Sequence, residues 1–107
     1  MTLSREMAEE AAETGMLLAA AHADREIGNW SEEALNFFRL YSTIKPDGFL
    51  TEDARAWAEK IGLPPPPDGR AWGYIARRAS REGFVRSAGY EKARSSNNSP
   101  KVLWRAA

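Results

Sequence analysis

The sequence predicts a mainly α fold of the α+β class, with four helices followed by a C-terminal β-hairpin. Three observations carry that expectation. Apolar residues recur at helical spacing in blocks between residues 3 and 82, and Ser, Thr, Asp, Gly and Pro fall at the block boundaries. Beyond Gly83 the pattern becomes strand-like, with Phe84-Val85-Arg86 and Val102-Leu103-Trp104-Arg105 enclosing a polar stretch. With 107 residues, 43% of them hydrophobic and 28% charged, the chain can fill one core and little more.

The first helix is expected over residues 3–23. Leu3, Met7, Ala11 and Leu18 share one side of it and Glu6, Glu9, Glu10 and Glu13 another, which is an amphipathic pattern; Gly15 weakens its middle by about 1 kcal/mol relative to Ala. Ser31 is the expected N-cap of the second helix, with Glu32 and Glu33 favourable in the first turn and Trp30 stapled onto Leu35. Lys45-Pro46-Asp47-Gly48 should stop this helix near Ile44. Its apolar residues Ala34, Leu35, Phe37, Phe38, Leu40, Tyr41 and Ile44 occupy most of the circumference, so it belongs at the centre, packed on two sides.

Gly48-Phe49-Leu50 fits a very short strand, after which Thr51 caps a third helix that buries Ala54, Trp57, Ala58 and Ile61 and ends at Gly62. Four prolines at 64–67 exclude helix from the connection that follows. Asp68 then caps a fourth helix, residues 69–82. Trp72, Ile75, Ala76 and Ala79 lie on one side of it and Arg70, Tyr74, Arg77, Arg78 and Arg81 on the other. The polar tip of the hairpin covers residues 91–101.

A formal charge of zero conceals a division along the chain. Residues 1–62 carry six Lys/Arg against twelve Asp/Glu, a net −6, and residues 63–107 carry nine against three, a net +6. A basic half selects an anionic partner, and an acidic half opposes indiscriminate binding. The lack of cysteine excludes a disulfide framework and a thiolate zinc site. His22 and Glu26 share a helical face, but two ligands do not complete a metal site, so neither a metal nor a cofactor is expected. The glutamates of the first helix have no accompanying nucleophile, phosphate loop or metal cluster; no catalytic residue is assigned and the chain is not expected to be an enzyme. The longest apolar run, residues 16–21, is too short to cross a bilayer, and the glutamates before it contradict a secretory leader. The expected location is the cytoplasm, with no membrane partner.

From Ser31 onward the order helix, short strand, helix, tight connection, basic helix, hairpin resembles the winged helix-turn-helix family, over roughly three quarters of the chain. The resemblance implies a domain over residues 31–107, to which residues 1–30 add an amphipathic helix for packing, dimerisation or partner binding. It also implies that residues 69–82 are a recognition helix entering the major groove of double-stranded DNA, and that residues 90–101 are a wing meeting phosphates or the minor groove. The segments FLTEDARAWA (49–58) and PDGRAWG (67–73) also look like small proteins encoded by bacteriophages and prophages, which implies a bacterial host cell. The four successive prolines and the first thirty residues depart from a minimal winged helix.

Phosphate neutralisation releases condensed counterions and gives affinity without sequence choice, the role expected of Arg77, Arg78 and Arg81. Base edges are read nearer the start of a recognition helix, which points to Arg70 and Tyr74, with Gly69 and Gly73 letting the helix backbone approach the duplex. In the wing, Lys92, Arg94 and Lys101 supply charge, and Ser95, Ser96, Asn97, Asn98 and Ser99 supply short hydrogen-bonding groups. The expected function is a sequence-selective DNA-binding protein, either a transcription regulator or an accessory factor in phage replication. The alternative is a protein-interaction adaptor using the winged domain and the acidic helix. The first helix offers its apolar stripe either to the second helix of its own chain or to its copy in a homodimer that reads paired half-sites.

Overall fold

The computed structural model describes the backbone of residues 5–92 and 100–107, with side chains from Met7 onward. Four helices, α1 (Arg5–Ile27), α2 (Trp30–Ile44), α3 (Thr51–Lys60) and α4 (Ala71–Arg81), precede β1 (Val85–Lys92) and β2 (Pro100–Ala106), which pair antiparallel. The fold is therefore a compact α+β domain. Among the described residues no helix is long and apolar enough to cross a membrane.

α1 continues past residue 23 because the chain reverses only at Gly28 (φ 74°) and Asn29 (φ 54°). Gly and Asn accept two consecutive left-handed residues at least strain. Asp24, in the last turn of α1, accepts the Ser31 N–H at 2.7 Å and the Ser31 hydroxyl at 2.8 Å. One orphan backbone donor at the start of α2 is thus satisfied by the preceding helix, and Asn29, not Ser31, is the N-cap.

Trp30 likewise is not a surface staple. The left-handed Asn29 starts α2 before Ser31, and the indole turns inward, where it is wholly buried. Its ring meets Trp72 edge-on with centroids 5.4 Å apart, and its Nε1–H donates to the Pro64 carbonyl at 3.0 Å. One side chain therefore joins α2, the proline connection and α4.

α2 is central as expected, packed against α1, α3, α4 and β2. A chain of edge and tilted aromatic contacts runs from it: Phe38 and Tyr41 to Phe49, and Phe37 and Tyr41 to Trp57. The short strand expected at 48–50 is a single bridge, Phe49 to Trp104, with reciprocal backbone bonds of 3.0 and 2.9 Å. Thr51 is the first residue of α3 and not its cap. Its Oγ1 accepts the Trp104 Nε1–H at 3.0 Å, while the Asp53 carboxylate takes the Leu50 N–H at 2.9 Å. The base of the hairpin is thereby fixed to the start of α3. Ala54 and Ala58 are buried and Trp57 half-buried, but Ile61, just past the helix end, is exposed.

The face of α1 differs from expectation. Met7 and Leu18 stand exposed, whereas Ala19, Ala20 and Ala23 are buried against α2 and α4 in the same core cluster as Trp30 and Trp72. Small side chains let two helix axes approach closely, so alanine and not the larger stripe makes this contact. α1 packs on its own chain along that alanine face; Leu3 lies outside the described residues.

Replacing Asp24 with Ala leaves two donors of Ser31 without an acceptor. The expected loss is about 1–2 kcal/mol of unfolding free energy with an unchanged denaturant slope, measured by urea titration. An unchanged midpoint would remove Asp24 from its capping role.

Candidate nucleic-acid interface

The residues that start α4 are tied locally. α4 begins at Ala71 and ends at Arg81, shorter than the 69–82 expected, and its N-cap is Arg70 rather than Asp68. Asp68 closes the turn before the helix, its Oδ1 accepting the Arg70 N–H at 2.9 Å and its carboxylate accepting Arg70 Nε at 3.0 Å and Nη2 at 2.7 Å. The Arg70 guanidinium and amide together hold the Asp68 carboxyl below its usual range, and Asp68 in turn raises the pKa of Arg70. The fork proposed for a base edge is thus engaged by a carboxylate two residues away.

The rest of the expected ridge points away from the core but is not open. Trp72, Ile75, Ala76 and Ala79 are buried as the periodicity requires, so Tyr74, Arg77 and Arg81 do face outward. α1 lies across that outward face. Arg77 Nη1 bonds Glu13 Oε1 at 2.7 Å, and Tyr74 is half-buried beside Leu17. Arg78 bonds Glu32 of α2 at 2.8 Å and Glu82 at 2.6 Å, and these two carboxylates hold its pKa above the usual arginine value. Gly73 is not free for a duplex to approach, since the Met16 side chain fills the space a Cβ would take, and the Arg55 guanidinium covers Gly69 in the same way. The expectation of a continuous exposed cationic ridge is corrected accordingly: only Arg81 remains exposed without a described carboxylate partner.

Among the described residues the hairpin carries four more unpaired cations. In its register Arg86 stands directly opposite Arg105, Glu91 opposite Lys101, and Lys92 opposite Pro100. Arg86, Lys92, Lys101 and Arg105 are exposed and make no salt bridge with a described carboxylate. Arg86 and Arg105 alternate with buried Val85 and Trp104, and this period of two was the sequence signal for an outward cation pair that the candidate set omitted. Of the expected wing residues, Lys92 and Lys101 are in place on the two strands; Arg94, Ser95, Ser96, Asn97, Asn98 and Ser99 lie outside the described residues.

Between hairpin and helices runs a cleft of two connected parts, about 430 and 310 Å³, which meet at Arg77, Val102 and Trp104. Arg55, Lys101 and Arg81 stand along its length, with Glu13 at the α1 end. Among the described residues no group of three His, Asp or Glu is arranged to hold a metal, and His22 Nδ1 lies 3.5 Å from Arg25 Nη2. No family model, curated protein or solved structure matches this chain.

A depressed carboxyl pKa at Asp68 means that the charged Asp68–Arg70 contact is kept throughout the ordinary carboxylate range and is lost only as pH falls through the lowered value. The expected NMR titration midpoint of Asp68 lies below that of aspartate in the unfolded chain, and Arg70→Ala moves it upward. An unshifted midpoint would show that the pair does not persist in solution.

Proposed function

We propose that this chain binds duplex DNA through its hairpin, with Arg81 at the end of α4 extending the contact. The observation that carries the proposal is the placement of Arg86 directly across from Arg105 with no carboxylate between them. Like charges opposite one another destabilise a strand pair, and an anion that meets both removes that penalty. Toward the tip, Lys101 shares the face of Arg105 and stands across from Glu91, and Lys92 adds a cation on the other face. A two-stranded ribbon fits the major groove, about 12 Å wide, where phosphates flank it on both sides. The likeness in element order to winged helix-turn-helix proteins supports the same reading, because the hairpin then corresponds to the wing. The coverage of α4 by α1 disfavours base reading by Arg70 and Tyr74 in this conformation. Transcription regulation and accessory work in phage replication are the two roles in keeping with such a protein.

A second reading, a protein-interaction adaptor or homodimer, is favoured by the exposure of Met7, Leu17 and Leu18 on α1, each more than half accessible. Binding of mixed duplex at low salt separates DNA binding from the adaptor, and light scattering across micromolar concentrations tests the homodimer. A dimer mass supports the second-copy contact, and a strictly monomeric mass removes it.

If Arg81, Arg86, Lys92, Lys101 and Arg105 all meet phosphates, the logarithm of duplex affinity falls against log salt with a slope of about −4 to −5. Replacing Arg86 and Arg105 with Ala should make that slope shallower by about two, and weaken binding to all sequences alike in an anisotropy titration. A slope near zero for the native chain would eliminate the DNA reading.

A further inference from the structure

We propose that residues 7–14 of α1 form a displaceable acidic arm that competes with nucleic acid for Arg77; the proposal rests on the DNA-binding reading above. α1 is divided in its packing. Its C-terminal half is anchored, since Ala19, Ala20 and Ala23 are no more than 5% exposed. Residues 7–14 are all exposed. Gly15 stands between the two parts, and glycine is the residue other than proline least able to hold a helix together.

The arm lies over α4 without being packed onto it. A cleft of about 510 Å³ separates them, lined by Glu10, Glu13, Leu17, Tyr74, Arg77 and Arg81 among others. Glu13 bridges it to reach Arg77 at 2.7 Å, with the two side chains 52% and 44% exposed. Ion pairs so exposed hold little on their own and weaken further with salt. Glu10 and Glu13 are three residues apart and therefore share a face of the helix, which presents two carboxylates to the two arginines.

These carboxylates stand where phosphate would arrive. Glu13 also lines the part of the cleft that separates α4 from the hairpin, together with Arg77, Arg81, Ser87 and Val102. A phosphate entering this cleft past Lys101 or Arg81 meets Glu13 beside Arg77, whereas Arg86 and Arg105 project from the other face of the ribbon, away from Trp104. Unwinding of residues 7–14 up to Gly15 leaves the buried alanines in place, removes that carboxylate and joins Arg77 to Arg81 and Lys101 along the cleft. Closed, the arm leaves Arg81 and the hairpin accessible; open, it adds Arg77.

The test uses the full chain with a mixed-sequence duplex. Glu10→Gln with Glu13→Gln is compared with Glu26→Gln plus Glu33→Gln, which changes net charge equally on α1 and α2 away from this cleft. The arm predicts that the first pair tightens binding about three- to tenfold beyond the second at low salt, and steepens the salt slope by about one, for the Arg77 released. Hydrogen exchange gives a readout independent of affinity: amides of residues 7–14 lose protection when duplex is added, while those around Ala19 to Ala23 do not. Equal tightening by both pairs, or unchanged exchange in residues 7–14 of a bound protein, overturns the arm and leaves hairpin binding standing. Absence of binding by every form overturns the DNA reading and the arm with it.

Discussion

The enclosure of Trp30 is the constraint on which the rest of the domain depends. A buried indole removes roughly 200 Å² from water, worth about 5 kcal/mol as an upper figure, whereas any of the surface ion pairs contributes about 0–1 kcal/mol. Trp30 is wholly buried, edge-on to Trp72, with its one donor satisfied by Pro64. That position demands the reversal at Gly28 and Asn29, and the reversal sets the direction in which α1 leaves α2. Asp24 closes the turn by capping α2. The coverage of α4 by α1 follows from the same turn, because the alanine face of α1 has only α2 and α4 within reach. A packing decision at one tryptophan thus determines which arginines solvent and ligands can approach.

Much of this was legible in the chain. The core face of α4 was visible because Trp72, Ile75, Ala76 and Ala79 are large or apolar enough for a 3.6-residue period to stand out. Gly62 and the prolines marked the end of α3 and the non-helical connection, since both act through local backbone geometry. The face of α1 was not legible. Hydropathy draws attention to Met7 and Leu18, but Ala19, Ala20 and Ala23 make the contact, and alanine burial leaves only a faint periodic signal. Trp30 was misplaced for a different reason: its inward turn depends on the left-handed conformation of Asn29, a choice among conformers that composition does not reveal. The outward direction of the arginines was read from α4 alone, yet whether that face is open depends on Glu13, 64 residues away in sequence.

The arginines of α4 form a graded series. Arg78 is the most enclosed and is held by two carboxylates, Glu32 from α2 and Glu82 from the helix end, so its charge is committed to joining these elements. Arg70 is far more exposed but is held by three donor contacts to Asp68, which orders the start of the helix. Arg77 has one exposed partner on a different helix, and Arg81 has none among the described residues. Availability to an outside anion rises along this order, because a phosphate must replace whatever each guanidinium already has. The series ends beside the hairpin, where the cations are unpaired.

The hairpin departs from the rules of a purely structural ribbon at several adjacent positions. Two guanidiniums face one another where opposite charges would stabilise the pair. A bulge interrupts the register between Ser87 and Tyr90, at Gly89 with φ 107°, and a bulge increases local twist and re-aims the strand beyond it. Tyr90, the first paired residue after the bulge, is 72% exposed, although an aromatic on a two-stranded ribbon gains most from being covered. At its base the inner face of the same hairpin is firmly anchored: Val85 and Trp104 are buried, the Trp104 indole donates to Thr51, and the strand bridges to Phe49. Arg86 and Arg105 meet on the outer face beside them. A buried inner face beside an outward pair of like charges is the pattern expected where folding and binding make separate demands on one element. The rigid base holds a twisted, positively charged ribbon away from the core, and the charge it leaves uncompensated is what a polyanion would neutralise.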